Sequence, residues 1–340
     1  MTSPSRSARS LPGRGRRSPP SETRRPTRAP PPWAEPAAGA VRIRIGFGFG
    51  GSAHPHGADL FGRLVDDLEA NGYDSLWVSE RANGLTLDPM VAMSYAAGRT
   101  ERLKFGPAVM VLPGRNPVLC AKAIASLDVV SNGRALPAFG LGIADAAEHQ
   151  AFGVARGDRA AWFDEALPLM RRLWDAGEEA IDHDGPRFAL SGVRVLPKPV
   201  QQPIEVWLGG FAPSELRRCG RLGDGWLASF STPAAVAAGI AAIDAESADH
   251  GRSIDRGHFG VLLPFVHGAL PDRFADRLRR RQPNLDPAEV VASGIAGLAD
   301  RLRAFVDAGA TKFVVFPLDE PGDWHTTINE VADECLPLQT

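Results

Sequence analysis

Two short segments of this chain carry residue types whose spacing suits ligand chemistry. His54-Pro55-His56 brings two imidazoles close together, which suits a metal ion, and Asp319 would offer a carboxylate to complete such a site. Residues 209–214, with the sequence GGFAPS, lead into a predicted helix whose free amides and Ser214 hydroxyl would hold a phosphate. Each segment also has a purely structural interpretation, since proline restricts the histidine geometry and Gly-Pro-Ser turns are common in loops.

The positions of the lysines limit one further kind of chemistry. Lys104 and Lys312 begin predicted strands, and Lys122 lies in a predicted helix. A Schiff-base enzyme needs a lysine amine in its active site, which in a barrel lies at the C-terminal ends of the strands. The sequence therefore argues against a Schiff-base aldolase.

Recurring helix–turn–strand units would position these segments. Residues 60–68 keep apolar side chains at helical spacing, Asn71-Gly72 supplies a left-handed C-cap, and an apolar run follows. Strands that are apolar throughout are buried on both faces, as in a parallel sheet covered by helices. We predict eight strands: Ile43–Phe49, Ser75–Ser79, Lys104–Val111, Ala135–Gly140, Ile204–Leu208, Gly225–Ser229, His258–His267 and Lys312–Pro317.

Eight strands alternating with helices predict the α/β class and a (β/α)8 TIM barrel. Residues 41–340 would form this single domain, with insertions at Glu178–Pro203, predicted to be extended, and Leu270–Gly294. Residues 1–40 are rich in Arg, Pro and Ser, and we predict that they are disordered; they would be a basic arm for nucleic acid or a membrane surface, a non-functional extension, or the result of a mis-assigned start. The predicted strands four to six offer no further histidine ligand, so we predict no metal site.

Composition narrows the partners and the compartment. The net charge is −2, which gives no electrostatic reason to bind nucleic acid or anionic lipid. No apolar run reaches the roughly 18 to 20 residues of a membrane span. Three widely spaced cysteines, Cys120, Cys219 and Cys335, indicate buried thiols in a reducing compartment. We therefore predict a cytoplasmic protein.

The glycines at strand ends indicate what kind of ligand the barrel would take. Active sites of such barrels lie at the C-terminal ends of the strands. Glycines cluster there after predicted strands one, four and five, at 46–51, 140–142 and 209–210. Bare backbone at these positions would let a flat ligand approach closely.

Four stretches resemble the luciferase-like monooxygenase superfamily, over essentially Val41–Pro337. They are YDSLWVSER at 73–81, the run from LPGRNP to GLGIAD at 112–145, RVLPKPVQQPIEVWLGG at 194–210, and LGDGW at 222–226. The resemblance is greatest to the actinobacterial branch that uses the deazaflavin coenzyme F420, in agreement with the scarcity of lysine and the many arginines.

The resemblance implies a cofactor site. The ring would lie across the barrel mouth, against a bulge after strand three that often contains a non-prolyl cis peptide, here near Val109-Met110. The phosphate of the cofactor would be held after strand five. The implied contacts are Ser79, Val109, Met110, Gly140, Gly142, Gly209, Gly210 and Ser214.

The acid or base is less well defined by the resemblance. Some relatives carry Asp-His after strand two, where this chain has Glu80-Arg81, and Arg81 cannot donate a proton near neutral pH. A carboxylate after strand four in some relatives aligns with Asp145, with Glu148 as a rival. The predicted catalytic residues are Asp145, Glu80 and His54. A surface ion pair for Glu80 with Arg81 and a helix N-cap for Asp145 remain open.

The implied activity is hydride transfer between coenzyme F420 and a small organic substrate. One alternative is a luciferase-like monooxygenase that receives reduced FMN from a partner reductase. A second is a barrel that binds flavin without catalysing a reaction. Trp162, Phe188 and Phe211 in the predicted pocket region either suit an apolar substrate or belong to the core. The relatives are frequently dimers, and a homodimer is the corresponding expectation for this chain.

Overall fold

The computed structural model describes residues 41–50, 57–175, 177–281, 283 and 285–340. The predicted extension at 1–40 and the His54-Pro55-His56 segment lie outside these residues, so the predictions made for them, and for the domain boundary near residue 41, stay predictions.

Strands and helices alternate along the described chain. The strands are β1 Arg44–Phe49, β2 Ser75–Val78, β3 Lys104–Pro107, β4 Met110–Val111, β5 Ala138–Gly140, β6 Ile181–Asp184, β7 Ala189–Val193, β8 Trp207–Gly209, β9 Gly225–Ser229, β10 Phe259–Val266, β11 Ala292–Ser293 and β12 Lys312–Pro317. The helices are α1 Ala58–Asn71, α2 Pro89–Arg99, α3 Pro117–Val130, α4 Ala146–Phe152, α5 Arg159–Asp175, α6 Pro213–Leu222, α7 Pro233–Asp249, α8 Asp272–Arg281, α9 Pro287–Val290, α10 Gly294–Asp307 and α11 Trp324–Cys335.

The main sheet is parallel and almost closes on itself. Its order is β3-β2-β1-β12-β10-β9-β8-β5-β4, with the short β11 added beside β10. β3 and β4 are two parts of the predicted third strand, interrupted at Ala108-Val109, and a parallel bridge between Phe105 and Ala135 joins β3 to the segment before β5. The predicted (β/α)8 barrel is therefore confirmed, with its third strand in two pieces.

Local sequence signals explain where the helices begin and end. Asp88 and Asn116 accept hydrogen bonds from the first free amides of α2 and α3, and a proline follows each of them. Gly72 ends α1 with φ 83°, the left-handed conformation predicted for Asn71-Gly72. These caps satisfy groups that would otherwise lack partners at the helix ends.

The barrel interior is a packed core beneath the mouth. Trp77 and Trp207 meet edge to face, with ring centroids 6.4 Å apart, and Leu227 and Val314 pack in the same cluster. Burial of such large apolar side chains is the main favourable term in folding. The packed interior therefore forms a rigid base for the C-terminal end of the barrel, where a ligand would bind.

A buried ion pair lies near the start of the strands. The Lys312 ammonium pairs with the carboxylate of Asp74 and lies 5.7 Å from the centroid of the Trp77 ring. Burial lowers the pKa of Lys312 well below its ordinary value. This pair fills the end of the barrel opposite the expected active site.

The two predicted insertions form distinct structures. Residues 178–203 contain the antiparallel hairpin β6–β7, which agrees with the extended structure predicted there. Residues 270–294 include α8 and α9, whose Leu278 and Val290 pack with Phe316 of β12 and with Leu318 just after that strand. The second insertion thus packs at the C-terminal end of the barrel.

Candidate active site

A cavity of about 500 Å³ lies at the C-terminal ends of the strands. Its size is ordinary for a cofactor or small-molecule site. It is lined by residues from the strand ends, from the loops after β2 and β5, and from α8. Among those lining it are Gly48, Trp77, Ser79, Glu80, Arg81, Asn83, Val109, Gly140, Gly142, Glu148, Gly209, Gly210, Leu227, Phe230, Phe274, Leu278 and Phe316.

Val109 occupies the floor of this cavity, between two glycines. An added Cβ at Gly140 would lie 2.6 Å from Val109 Cγ2, and one at Gly209 would lie 3.0 Å from Val109 Cγ1. The peptide between Ala108 and Val109 is cis, one bond before the predicted position. The glycines at 140 and 209 thus make room for the Val109 side chain as well as leaving bare backbone.

Glu80 holds the backbone beside this floor. Its carboxylate accepts a hydrogen bond from the Val111 amide at 2.6 Å and pairs with the Arg115 guanidinium. Burial raises the pKa of the Glu80 carboxyl, and the charge of Arg115 acts in the opposite direction. Glu80 therefore combines contact with the cavity, a buried ion pair and a raised pKa.

Glu148, on α4, connects that helix to the loop after β2 at the rim of the cavity. It is buried, accepts hydrogen bonds from the amides of Ala82 and Asn83 at 3.2 Å each, and lies 3.7 Å from Arg81. Arg81 therefore pairs with Glu148, and Glu80 pairs with Arg115. Glu80 and Arg81 therefore do not form the ion pair considered from the sequence; each pairs with a residue distant in the chain.

Asp145 caps a helix. Its Oδ1 accepts hydrogen bonds from the amides of Ala147 and Glu148, both at 3.0 Å, at the start of α4. Hydrogen bonds from the Glu148 and Ala147 amides lower the pKa of this exposed carboxyl. Asp145 is not among the residues that line the cavity. Asp145 therefore makes the contacts of a helix N-cap, which was the alternative to a catalytic role in the sequence analysis.

The segment after β8 differs from the predicted phosphate site in one respect. The Glu215 carboxylate accepts hydrogen bonds from the amides of Phe211 and Ala212, both at 2.9 Å. Two of the amides expected to bind phosphate are therefore bound by a carboxylate of the same chain. Glu215 lies three residues after the N-cap Ala212, the position from which a glutamate reaches back to the N-cap amide, although Ala212 has no side chain to return the bond.

Most of the predicted cofactor contacts lie together. Ser79, Val109, Gly140, Gly142, Gly209 and Gly210 all line the cavity, as does the predicted catalytic Glu80. Met110 is fully buried in the core, and Ser214 is exposed on α6 outside the lining. His54 lies outside the described residues, and Asp319 accepts hydrogen bonds from the amide and side chain of His267.

Sequence reasoning missed two arginines that shape the site. Arg115 pairs with Glu80, and Arg159, which is buried, donates to the Ile143 carbonyl at 3.1 Å beside Gly142. Arg115 was inside the motif LPGRNP, which follows the predicted third strand and was a detectable signal. Nothing in the helical pattern around Arg159 distinguishes it from a surface arginine.

Two further structural facts bear on the class of protein. No helix in the described part of the chain is both long and apolar enough to cross a membrane. Cys120, Cys219 and Cys335 are buried free thiols, as predicted.

The chain belongs to the luciferase-like monooxygenase family, whose model matches residues 42–312. Among its relatives is a phthiodiolone/phenolphthiodiolone dimycocerosates ketoreductase of Mycobacterium sp. (strain JLS), 29% identical over 237 residues, which are 62% of each chain. An F420-dependent glucose-6-phosphate dehydrogenase of Kineococcus radiotolerans is 30% identical over 179 residues, 49% of this chain and 52% of the relative. The match thus spans between half and two thirds of these relatives.

Solved structures share the fold. An F420-dependent secondary alcohol dehydrogenase in complex with an F420-acetone adduct has a TM-score of 0.72 and 19% identity, covering 88% of this chain and all of the other. The oxygenating constituent of a diketocamphane monooxygenase of Pseudomonas putida, in complex with FMN, has a TM-score of 0.70 and 19% identity, covering 88% and 99%. The fold is therefore common to deazaflavin and FMN proteins.

Proposed function

We propose that this protein is an oxidoreductase that transfers a hydride between coenzyme F420 and a small organic carbonyl compound or alcohol. Two relatives support the choice, since one is named an F420-dependent dehydrogenase and the other a ketoreductase. The observation that carries it in this chain is the cavity floor, where Val109 lies between two glycines next to the buried Glu80.

The residues present fit a flat heterocyclic cofactor. Val109 and Leu227 offer apolar surface for one face of a ring, and no side chain projects from Gly140 or Gly209. Ser79 would contact the ring edge. When bound, F420 would exchange a hydride through C5 of its ring, and the protein supplies orientation and exclusion of water.

We assign the proton that accompanies hydride transfer to the Glu80 carboxyl. Burial raises the pKa of this carboxyl above that of an ordinary glutamate, while Arg115 and the Val111 amide act in the opposite direction. Its Oε2 also fixes the Val111 amide just after the Val109 floor, so the same group positions the bulge. Asp145 and His54 remain candidates from sequence, but the cap contacts of Asp145 favour Glu80 over it.

The phosphate of the cofactor would be bound near Gly209, Gly210 and Ser214. There the Glu215 carboxylate occupies two amides and would repel an anion. We propose that Glu215 turns away when the cofactor binds and frees those amides. Glu215→Gln should then bind the cofactor more tightly than the native chain, as measured by fluorescence titration.

The test of the proposed function is a titration of the purified protein with F420 and with FMN, side by side, followed by turnover of reduced F420 with simple ketones. Micromolar or tighter binding of F420, with ketone-dependent oxidation of its reduced form, is the expected result. Binding of neither cofactor would refute the assignment and return attention to a metal site at His54-Pro55-His56.

The second candidate is an FMN monooxygenase, because an FMN-containing structure matches the fold nearly as well. Preferential binding of FMN, together with oxygen consumption when reduced FMN is supplied, would favour it. The deazaflavin carries carbon where flavin has the nitrogen next to its oxygen-reactive position, so the two cofactors lead to different reactions.

We also propose a homodimer, located in the cytoplasm. α2 and α3 pack together, and Val91 on α2 and Leu119 and Val130 on α3 are 64%, 68% and 73% exposed. These side chains would supply apolar surface to an interface between two copies of the chain, since large exposed apolar patches mark protein–protein contacts. The buried free thiols support a reducing compartment. The near-zero net charge gives no support to a nucleic-acid partner.

A further inference from the structure

The cavity has a polar wall and an apolar wall. The loop after β2 and helix α4 supply the polar wall, with Ser79, Glu80, Arg81, Asn83 and Glu148. α8, the middle of β10 and the ends of β9 and β12 supply the apolar wall, with Phe230, Leu262, Phe274, Leu278, Phe316 and Leu318. The floor at Val109 lies with the core residues of the barrel interior.

Aromatic contacts form the apolar wall. The Phe230 ring lies 5.5 Å from that of Phe274 on α8 and 6.3 Å from that of Phe316 on β12. Leu278, one turn further along α8, is buried against Val290 and Leu318. These contacts tie the second insertion to the strand ends, so the apolar surface is already formed before a ligand arrives.

The charges around the cavity disfavour an anionic substrate. Among the described lining residues, the carboxylates are Glu80, Glu148 and Glu215, while Arg81 is the one cation. Arg81 already pairs with Glu148. A phosphate or carboxylate group on the substrate would therefore meet no unpaired cation among the described lining residues, because the Arg159 guanidinium is buried behind Gly142 and outside the lining, and it would lose hydration with little compensation.

We infer that the substrate is an uncharged, apolar ketone or the corresponding secondary alcohol, with its hydrocarbon part against Phe230, Phe274 and Phe316. This inference rests on the proposed function. In the reducing direction the ketone carbon accepts a hydride from reduced deazaflavin and the oxygen accepts a proton. The products are a secondary alcohol and the oxidised deazaflavin, so electrons and protons balance.

The experiment compares ligands that differ in chain length or in charge alone. The 2-alkanones from butanone to decanone test the apolar wall, and 2-octanone and 7-oxooctanoate form a pair matched in length. Binding to the protein without coenzyme is measured by displacement of a fluorescent apolar probe, and turnover is measured with reduced F420. We expect kcat/KM to rise about threefold per added methylene until the wall is filled, and 7-oxooctanoate to bind at least tenfold more weakly than 2-octanone.

Variants on one helix provide the control. Phe274→Ala should weaken 2-octanone binding about tenfold or more and flatten the dependence on chain length, while Arg280→Ala, exposed on the same helix, should change neither. Phe274→Leu keeps an apolar side chain and should retain most of the affinity, which separates loss of the wall from loss of the fold.

The outcomes distinguish the two proposals. If F420 does not bind but 2-octanone displaces the probe with the expected selectivity, the proposed function fails and the apolar site stands. If F420 binds and 7-oxooctanoate binds or turns over as well as 2-octanone, the inference about the substrate is overturned. An unchanged chain-length dependence in Phe274→Ala would also overturn it.

Discussion

Replacing Gly140 by alanine should weaken binding of the deazaflavin coenzyme while leaving the barrel folded. The new Cβ would lie 2.6 Å from Val109 Cγ2, whereas carbon atoms in contact prefer about 3.5 to 4.0 Å. Val109 would have to shift by about 1 Å, and Gly209 on its other side leaves little room in that direction. The floor would therefore move toward the cavity.

The expected size follows from overpacking. Forcing an extra carbon into a packed site typically costs about 1 to 3 kcal/mol. If this cost is paid only in the coenzyme-bound protein, it corresponds to roughly a 5- to 150-fold rise in the Kd of the coenzyme. Gly209→Ala should have a smaller effect, since its Cβ would lie 3.0 Å from Val109.

The assay is fluorescence titration with F420, with thermal unfolding measured on the same samples. Gly297→Ala in α10 is the matched control, because a Cβ there meets nothing within 4 Å. A Kd for Gly140→Ala within twofold of the native value, in a folded protein, would show that the coenzyme does not rest on the Val109 floor.

Other residues give further predictions. Glu80→Gln should lower kcat about 10²- to 10⁴-fold with little change in coenzyme Kd, and an unaltered kcat would exclude a proton role. Because burial raises the pKa of Glu80, ionisation of this carboxyl lowers the free energy of unfolding as pH rises above 4.5, and the Gln variant should lose that pH dependence. Asp145→Asn, which keeps a capping side chain, should retain native turnover, and a large loss would restore its catalytic role. Lys312→Met removes the buried partner of the Asp74 carboxylate, which keeps only Lys104 at 3.9 Å, and should cost up to about 3 kcal/mol in denaturant unfolding; a loss under 1 kcal/mol would show that Lys104 and solvent compensate Asp74. Leu119→Lys should convert a dimer to monomer in size-exclusion chromatography with light scattering, and an unchanged mass would place the interface elsewhere.

Local sequence determined much of the fold. The strands of the barrel could be located from continuous apolar runs and turn residues. This was possible because the signals that end a helix or begin a strand come from residues close together in the chain. Gly72 and Asn116, for example, terminate or begin helices through their own backbone and side-chain chemistry. The glycines that surround the cavity were also visible, since they recur at the ends of predicted strands.

Pairing across the sequence could be seen only in the tertiary structure. Glu80 pairs with Arg115, 35 residues away, and Glu148 accepts hydrogen bonds from Ala82 and Asn83, more than 60 residues earlier. Adjacency in sequence suggested the pair Glu80-Arg81 instead. Closure of the barrel brings successive strand ends to one rim, so the partner of each charge depends on which loop lies opposite.

The structural role of Gly140 and Gly209 likewise became visible only in the packed structure. In sequence, Gly140 and Gly209 suggested bare backbone for a flat ligand; in the structure both also accommodate the side chain of Val109. The break of the third strand at Ala108-Val109 turns that side chain into the barrel mouth. The chain by itself therefore determined which elements form and where the site lies, while contacts between distant strands decided which side chains face it, because those contacts exist only once the sheet has closed.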